Sequence, residues 1–236
     1  MFIAKLPGVS GVFRIMLLAV MLVVSTACQN RLIVLDGVKA GDVITFGRYP
    51  QTESGGIKPI EWRVLEVKGN MALLLAHKGL DAVPYNATLS DVTWETSYIR
   101  GWLNFYFLNT AFTDSEQYSI AVTALKNPDN SEYGIDGGRD TSDRIFLLSL
   151  DEAKRYFMLD AERVLMPTSY AVKKGVRYSR GLMLSSPWWL RSPGRFESFA
   201  SYVKDDGVLY PHGTVVNFDH IAVRPALWVR FETSNQ

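Results

Sequence analysis

Asn127, Asp129, Asn130, Ser131, Asp136, Asp140 and Asp143 fall in one glycine-bearing segment of this sequence. Calcium coordination takes six to eight hard oxygens. Calcium is therefore the candidate cofactor, with Asp129, Ser131, Asp136 and Asp140 as its candidate ligands. The match to an EF-hand is half complete, because Tyr133 stands at a ligand position and the bidentate Glu is missing. The competing reading, a polar surface loop whose Asn and Asp side chains cap turns, is the favoured one. Trp188 and Trp189 are the second group. Exposed tryptophans stack on sugar faces and on cationic ligands, whereas adjacent residues of a strand point to opposite sides. At most one tryptophan is therefore expected to face solvent, with Trp189 the surface candidate, and structural roles for both are the favoured reading. Trp189, Arg195, Phe196 and Tyr202 make a candidate ligand-binding set, aromatic and Arg anchors of the kind that dominate interfaces. Arg191 and Arg224 sit near prolines in apolar motifs and are expected to be tied to a carboxylate or to backbone carbonyls, Asp143 being one conceivable partner. Of the histidines, His77, His212 and His220, none lies in a His-Glu-x-x-His pattern or a close metal-ligand pair, and no Gly-x-Ser-x-Gly occurs. No catalytic residue is assigned.

Cys28 is the only cysteine. Lys5 and Arg14 precede an apolar and small-residue run from Ile15 to Ala27, thirteen positions, which is too short for the roughly 20 of a membrane span and suits a signal h-region of about 7–15. The run closes on Ser25-Thr26-Ala27-Cys28, which resembles the lipobox of bacterial lipoproteins, although Ser25 stands where Leu is commoner. That resemblance implies cleavage before Cys28 and acylation of its thiol, so that two acyl chains anchor the protein to a membrane. An ordinary signal peptide with an incidental cysteine is the alternative.

After residue 27 the chain carries 23 basic and 24 acidic residues. Such a balance gives no reason to expect nucleic acid as a partner. With 47% hydrophobic and 12% aromatic residues, the exported part can bury a sizeable core without disulfides. The elements that must position the candidate residues are legible in outline. Residues 28–39 read as a tether and 40–233 as one domain. Gly41 to Tyr49 alternates as a strand, and Ile60 to Val67 with Met71 to Ala76 forms a hairpin about Gly69-Asn70. Ile99, Trp102, Leu103, Tyr106 and Phe107 make the apolar stripe of a helix. Thr113 to Glu116 and Ser149 to Glu152 fit capping boxes, and Arg144 to Leu148 reads as a buried strand. A strand meander closes the chain, with turns at Asp205-Asp206-Gly207 and Pro211-His212-Gly213.

The strings FGRYPQ (46–51), IEWRVL (60–65), IRGWLN (99–104), RIFLLS (144–149), WWLRSPG (188–194) and VRPALW (223–228) resemble a domain family of bacterial exported proteins, over about residues 36–231. The layout is also similar, distantly, to formylglycine-generating enzyme and to C-type-lectin-like domains. That resemblance implies a single α+β, C-type-lectin-like domain, mainly antiparallel, with Ile44 to Gly47 beside Ala226 to Val229. Formylglycine-generating chemistry needs a cysteine pair, which the chain lacks after Cys28. The expectation is a lipoprotein of the bacterial cell envelope, at the outer membrane or cell surface, that binds a glycan or a protein through a groove formed by residues 179–199 and the loops at Asp205-Asp206 and Pro211-His212. An enzyme of unidentified reaction and a structural envelope protein are the alternatives.

Overall fold

The computed structural model describes residues 31–180 and 184–234. The expected signal peptide and Cys28 lie outside them. Strands β1 (Ile33–Val34), β2 (Val43–Pro50), β3 (Ile57–Lys68) and β4 (Met71–Ala76) begin the chain, and β5 (Asp81–Ala82) follows. Alternation makes β3 a strand: Ile60, Trp62 and Val64 are fully buried, and the residues between them face outward or are half-buried. Gly69, at φ +56°, supplies the left-handed turn that returns the chain into β4.

Helix α1 (Tyr98–Gly101) runs through a π-helical segment (Trp102–Phe107) into α2 (Leu108–Ala111). Its buried residues are Ile99, Leu103, Phe107, Leu108 and Ala111, and all but Leu108 are spaced by four. Hydrogen bonds of the i→i+5 kind widen the turn, which keeps every fourth residue on one face. Tyr106, expected in the stripe, is exposed, and Trp102 is only partly buried, stacked on Phe107 at 5.6 Å. Helix α3 (Asp114–Ser119) and, after β6 (Thr123–Leu125) and β7 (Thr141–Asp143), helix α4 (Leu150–Tyr156) both start at complete capping boxes, Thr113 with Glu116 and Ser149 with Glu152. The segment from Arg144 to Leu148 is buried as expected, but its pairing is a single bridge from Phe146 to Ala226. Short helices α5 (Asp160–Arg163) and α6 (Ser169–Lys173) precede β8 (Ser179–Arg180), β9 (Leu184–Ser185), β10 (Trp188–Pro193), β11 (Phe199–Val203), β12 (Leu209–Val215), β13 (Ala222–Val223) and β14 (Ala226–Glu232).

The fold is α+β, mostly strands, in two five-stranded sheets of order β1-β14-β4-β3-β2 and β12-β11-β10-β13-β5. The free side of the β3–β4 hairpin takes β14, antiparallel, from Ala226 opposite Leu75 to Arg230 opposite Met71. That placement corrects the expected neighbours: β3 and β4 stand between Ile44–Gly47 and Ala226–Val229. The neighbour of the last strand is instead β1, parallel, with Ile33 opposite Phe231. Part of the expected tether is therefore a strand.

Candidate functional site

Strand β10 is the middle of the second sheet and all six of its residues are buried. Alternation sends Trp188 and Trp189 to opposite faces, and both faces are covered. Trp188 donates its indole N–H to the Arg163 carbonyl at 2.9 Å and Trp189 to the Val83 carbonyl at 3.1 Å. Trp189 is 0% exposed. It is a core residue, and the expectation that it contacts a ligand is corrected: a strand in mid-sheet with layers on both sides offers no solvent face to either of two neighbours.

The other three members of the set stay at or near the surface, Arg195 and Phe196 in the loop between β10 and β11 and Tyr202 on β11 of the β11–β12 hairpin. Tyr202 packs edge-on against Trp189 at 6.3 Å and beside Tyr210 at 5.3 Å, its cross-strand partner. Tyr210 lies 5.3 Å from His212, His212 lies 6.3 Å from Phe199, and Phe199 lies 5.2 Å from Phe196. Arg195 caps this end, its guanidinium 4.6 Å from the Phe196 ring and 5.6 Å from Phe199. The rings form one continuous row, half-buried except Phe196, which is exposed.

A register shift explains how the row forms. Phe199 and Tyr202 are three apart and in a regular strand would face opposite ways. The pairing of β11 with β12 slips between Ala200 and Tyr202, and such a bulge re-aims side chains. Ser201 points inward, donating its hydroxyl to the Pro193 carbonyl at 2.6 Å. Opposite it, Gly213 at φ +72° passes so close to Ala200 that a Cβ would stand 2.5 Å from the Ala200 carbonyl oxygen. Pro211 and His212, expected in a turn, lie instead within β12, where an edge strand tolerates the missing N–H.

The oxygen-rich loop supports this hairpin. Asn130, 2% exposed, donates its amide to the carbonyls of Pro193 and Pro211, both at 2.8 Å, and sets Tyr133 edge-on to His212 at 5.9 Å. The loop's aspartates are engaged within the protein. Asp129 accepts from the Gly137 N–H at 3.1 Å and Asp136 from the Gly138 N–H at 2.8 Å. Asp140 pairs with Lys126, which holds its carboxyl below the usual range, and Ser131 is exposed. Among the described residues, no three His, Cys, Asp or Glu side chains are grouped to hold a metal ion. The expected ligands are thus dispersed: Asp129 and Asp136 accept from loop backbone N–H groups, Asp140 pairs with Lys126, and Ser131 is exposed.

Residues 69–231 match a domain of unknown function, DUF6273. The chain belongs to this family. No curated protein and no solved structure matches it. The matched stretch of the DUF6273 domain contains the whole aromatic row and all five strands of the second sheet.

At its Tyr202 end the row opens into a cleft of about 320 Å³ lined by Arg177, Tyr178, Pro187, Tyr202, Lys204 and Asp205. A second hollow of about 500 Å³ shares Arg177 and Tyr178 and adds Phe218 and His220. Burial is the main influence holding the Tyr202 phenol above its ordinary pKa, with Tyr210, Asp205 and Asp206 adding to it, so it stays a neutral donor at physiological pH. The DUF6273 surface therefore combines flat apolar rings with cationic, anionic and hydroxyl groups. For this face, sequence reasoning missed Tyr210 and Arg177, and named Phe199 and His212 only as bounds of candidate surface segments. Tyr210 was legible, since residues 210 and 212 are two apart and share a strand face, but only once Pro211 is placed inside the strand. Among the described residues, His220 pairs with Asp219 at 3.4 Å, both side chains largely in solvent, and no helix is long and apolar enough to cross a membrane.

Proposed function

We propose that this DUF6273 domain is a binding module of the bacterial cell envelope, and that its ligand is a glycan laid along the row from Phe196 to Tyr202. The row carries the reading. Partly exposed rings in line suit the apolar faces of successive sugar units, and Arg195, Arg177, Lys204 and Asp205 at its two ends supply hydrogen bonds to hydroxyls. Loops and hairpins on a rigid sheet are where binding groups usually lie. An extended peptide is the second reading, favoured by β12 being a sheet edge. The membrane attachment is part of the proposal: acylation at Cys28 would hold the domain at the outer membrane or cell surface. A C-type-lectin-like ancestry belongs to it as well, supported by the chain's first and last strands lying side by side.

The test is an array of glycans, peptides and matrix proteins probed with the chain from residue 29 onward. Bound glycans should be lost at least tenfold, about 1.4 kcal/mol, in Tyr210→Ala and Phe196→Ala variants of unchanged melting temperature. Binding that survives both substitutions rejects the row. For the anchor, Cys28→Ala should abolish labelling by a clickable palmitate, and undiminished labelling rejects it.

A further inference from the structure

Three arginines in this domain are almost fully buried: Arg163, Arg191 and Arg224 are 5%, 3% and 3% exposed. A buried guanidinium needs partners for its donors and a counter-charge. Arg163 has them in the carbonyls of Gly207 and Phe157 and in Asp160. Arg191 has them in Asn127, two backbone carbonyls and the Glu152 carboxylate. Arg224 departs from this pattern. Its Nε donates to the Ala76 carbonyl at 3.0 Å, and its Nη1, out of reach of solvent, has no hydrogen-bond partner.

The planar faces of Arg224 are occupied, with the Trp188 ring at 4.8 Å and the Phe157 ring at 5.7 Å. What stays unpartnered is the edge at Nη1, a donor enclosed by the protein. Nearby stands a second cation rather than an acid. Arg63, on β3, lies 5.2 Å from the same Phe157 ring. Among the described residues, neither arginine forms an ion pair with a carboxylate. Glu61 is engaged by Lys78 at 3.4 Å. His77, exposed, completes the surroundings, its pKa lowered first by desolvation and then by Arg224, Lys78 and Arg63 against the opposing pull of Glu61. Burial, then repulsion by Arg63, brings the Arg224 pKa down to about 9, so the Arg224 guanidinium is still charged at neutral pH.

We infer that Arg63 and Arg224, flanking Phe157, form a receptor for a doubly charged tetrahedral oxyanion, phosphate or sulfate, that enters past His77 and Lys78. Two uncompensated guanidiniums match two negative charges, and guanidinium edges pair with phosphate-type oxygens two bonds at a time. Partly exposed Arg63 would receive the ion first and Arg224 would supply the enclosed donor. The site lies apart from the aromatic row and stands whether or not that row binds a glycan.

Melting of the purified protein in phosphate, in sulfate, and in chloride or acetate at matched ionic strength tests the inference. Phosphate or sulfate should raise the midpoint in a saturable way, as a ligand of the folded state must, and acetate should do so more weakly. Arg63→Gln, a change at a partly exposed position, should abolish the rise while leaving the chloride midpoint nearly unchanged. A phosphomonoester in place of inorganic phosphate separates the sources. Tenfold tighter binding of the ester assigns the site to a group on a larger ligand, and equal binding assigns it to the free ion. Phosphate should also move the NMR titration of His77, and not that of His212 or His220, to higher pH. Equal stabilisation of wild type and Arg63→Gln, or no stabilisation of either, overturns the inference.

Discussion

The Tyr49 hydroxyl donates to the Asp81 carboxylate at 2.6 Å across the interior, joining β2, the edge of the first sheet, to β5, the edge of the second. Both residues are buried, and the other oxygen of Asp81 accepts from the Ala82 N–H at 2.7 Å. Burial raises the Asp81 pKa against the opposing effect of these hydrogen bonds and of Lys174. Burial, then the charge of Asp81, pushes Tyr49 far above the ordinary tyrosine range, so it remains a donor at every pH of interest.

The sign of the resulting pH dependence follows. Below the unfolded aspartate pKa, about 3.9, Asp81 is protonated in both states and burial carries no charge penalty. As pH rises from there through the elevated folded pKa, the unfolded chain ionises first, so this group's contribution to stability falls and then levels off. Tyr49→Phe removes a bond that favours the ionised form, so its loss of stability should be larger at pH 7.5 than at pH 4. The expected loss at pH 7.5 is about 1.5–3 kcal/mol, the value of a hydrogen bond to a charged group. Urea melts at the two pH values measure it, and equal losses would show that Asp81 is not ionised in the fold.

Arg191 should behave as a junction rather than as a ligand group. Its guanidinium ties Lys126 and Asn127 to Leu147 and to Glu152, the residue that also closes the capping box of α4. Arg191→Met should cost on the order of 3–5 kcal/mol, as breaking a buried pair does. Arg191→Lys should recover little, because an ammonium cannot reproduce the planar fork. Thermal melts of the two variants check this, and full recovery by Lys would reduce the junction to a charge.

Along the helical segment the expected costs separate by exposure. Phe107→Ala should lose about 3–5 kcal/mol, the range for a buried aromatic. Trp102→Ala should lose clearly less, since Trp102 is only partly buried. Denaturant midpoints of the two variants compare them directly, and equal losses would mean that the α-helical stripe, not the spacing of four, describes the packed face.

What the sequence disclosed was local. The Gly69-Asn70 hairpin and the capping boxes at Thr113 and Ser149 are each set by a few neighbouring residues, and residue type alone pointed to a carboxylate for Arg191, though not to Glu152. Asp143, the partner proposed for the arginines, instead accepts from Arg100 at 2.7 Å and from Trp94 at 2.9 Å. Such choices depend on strands far apart in sequence. The same holds for Trp189: alternation says that it opposes Trp188, but not that both faces of β10 are covered. Arg195, Phe196 and Tyr202 could be singled out by type, while the bulge that aligns their neighbours has no period to betray it.

That bulge gives the sharpest test of how the aromatic row is held. Gly213 and Gly55 both sit at positive φ, +72° and +82°. An added Cβ at Gly55 meets nothing within 4 Å, whereas at Gly213 it would meet the Ala200 carbonyl at 2.5 Å. Gly55→Ala should therefore show only backbone strain, about 1–3 kcal/mol. Gly213→Ala should show that strain and, in addition, displace β12 from β11, because the obstacle is backbone and cannot rotate away. The ring-current shifts of Tyr202 and Tyr210 report whether the two rings still pack together. They should change in Gly213→Ala and stay in place in Gly55→Ala. Unchanged shifts in both variants, with equal melting temperatures, would mean that the hairpin yields at no cost and that the row does not depend on the bulge.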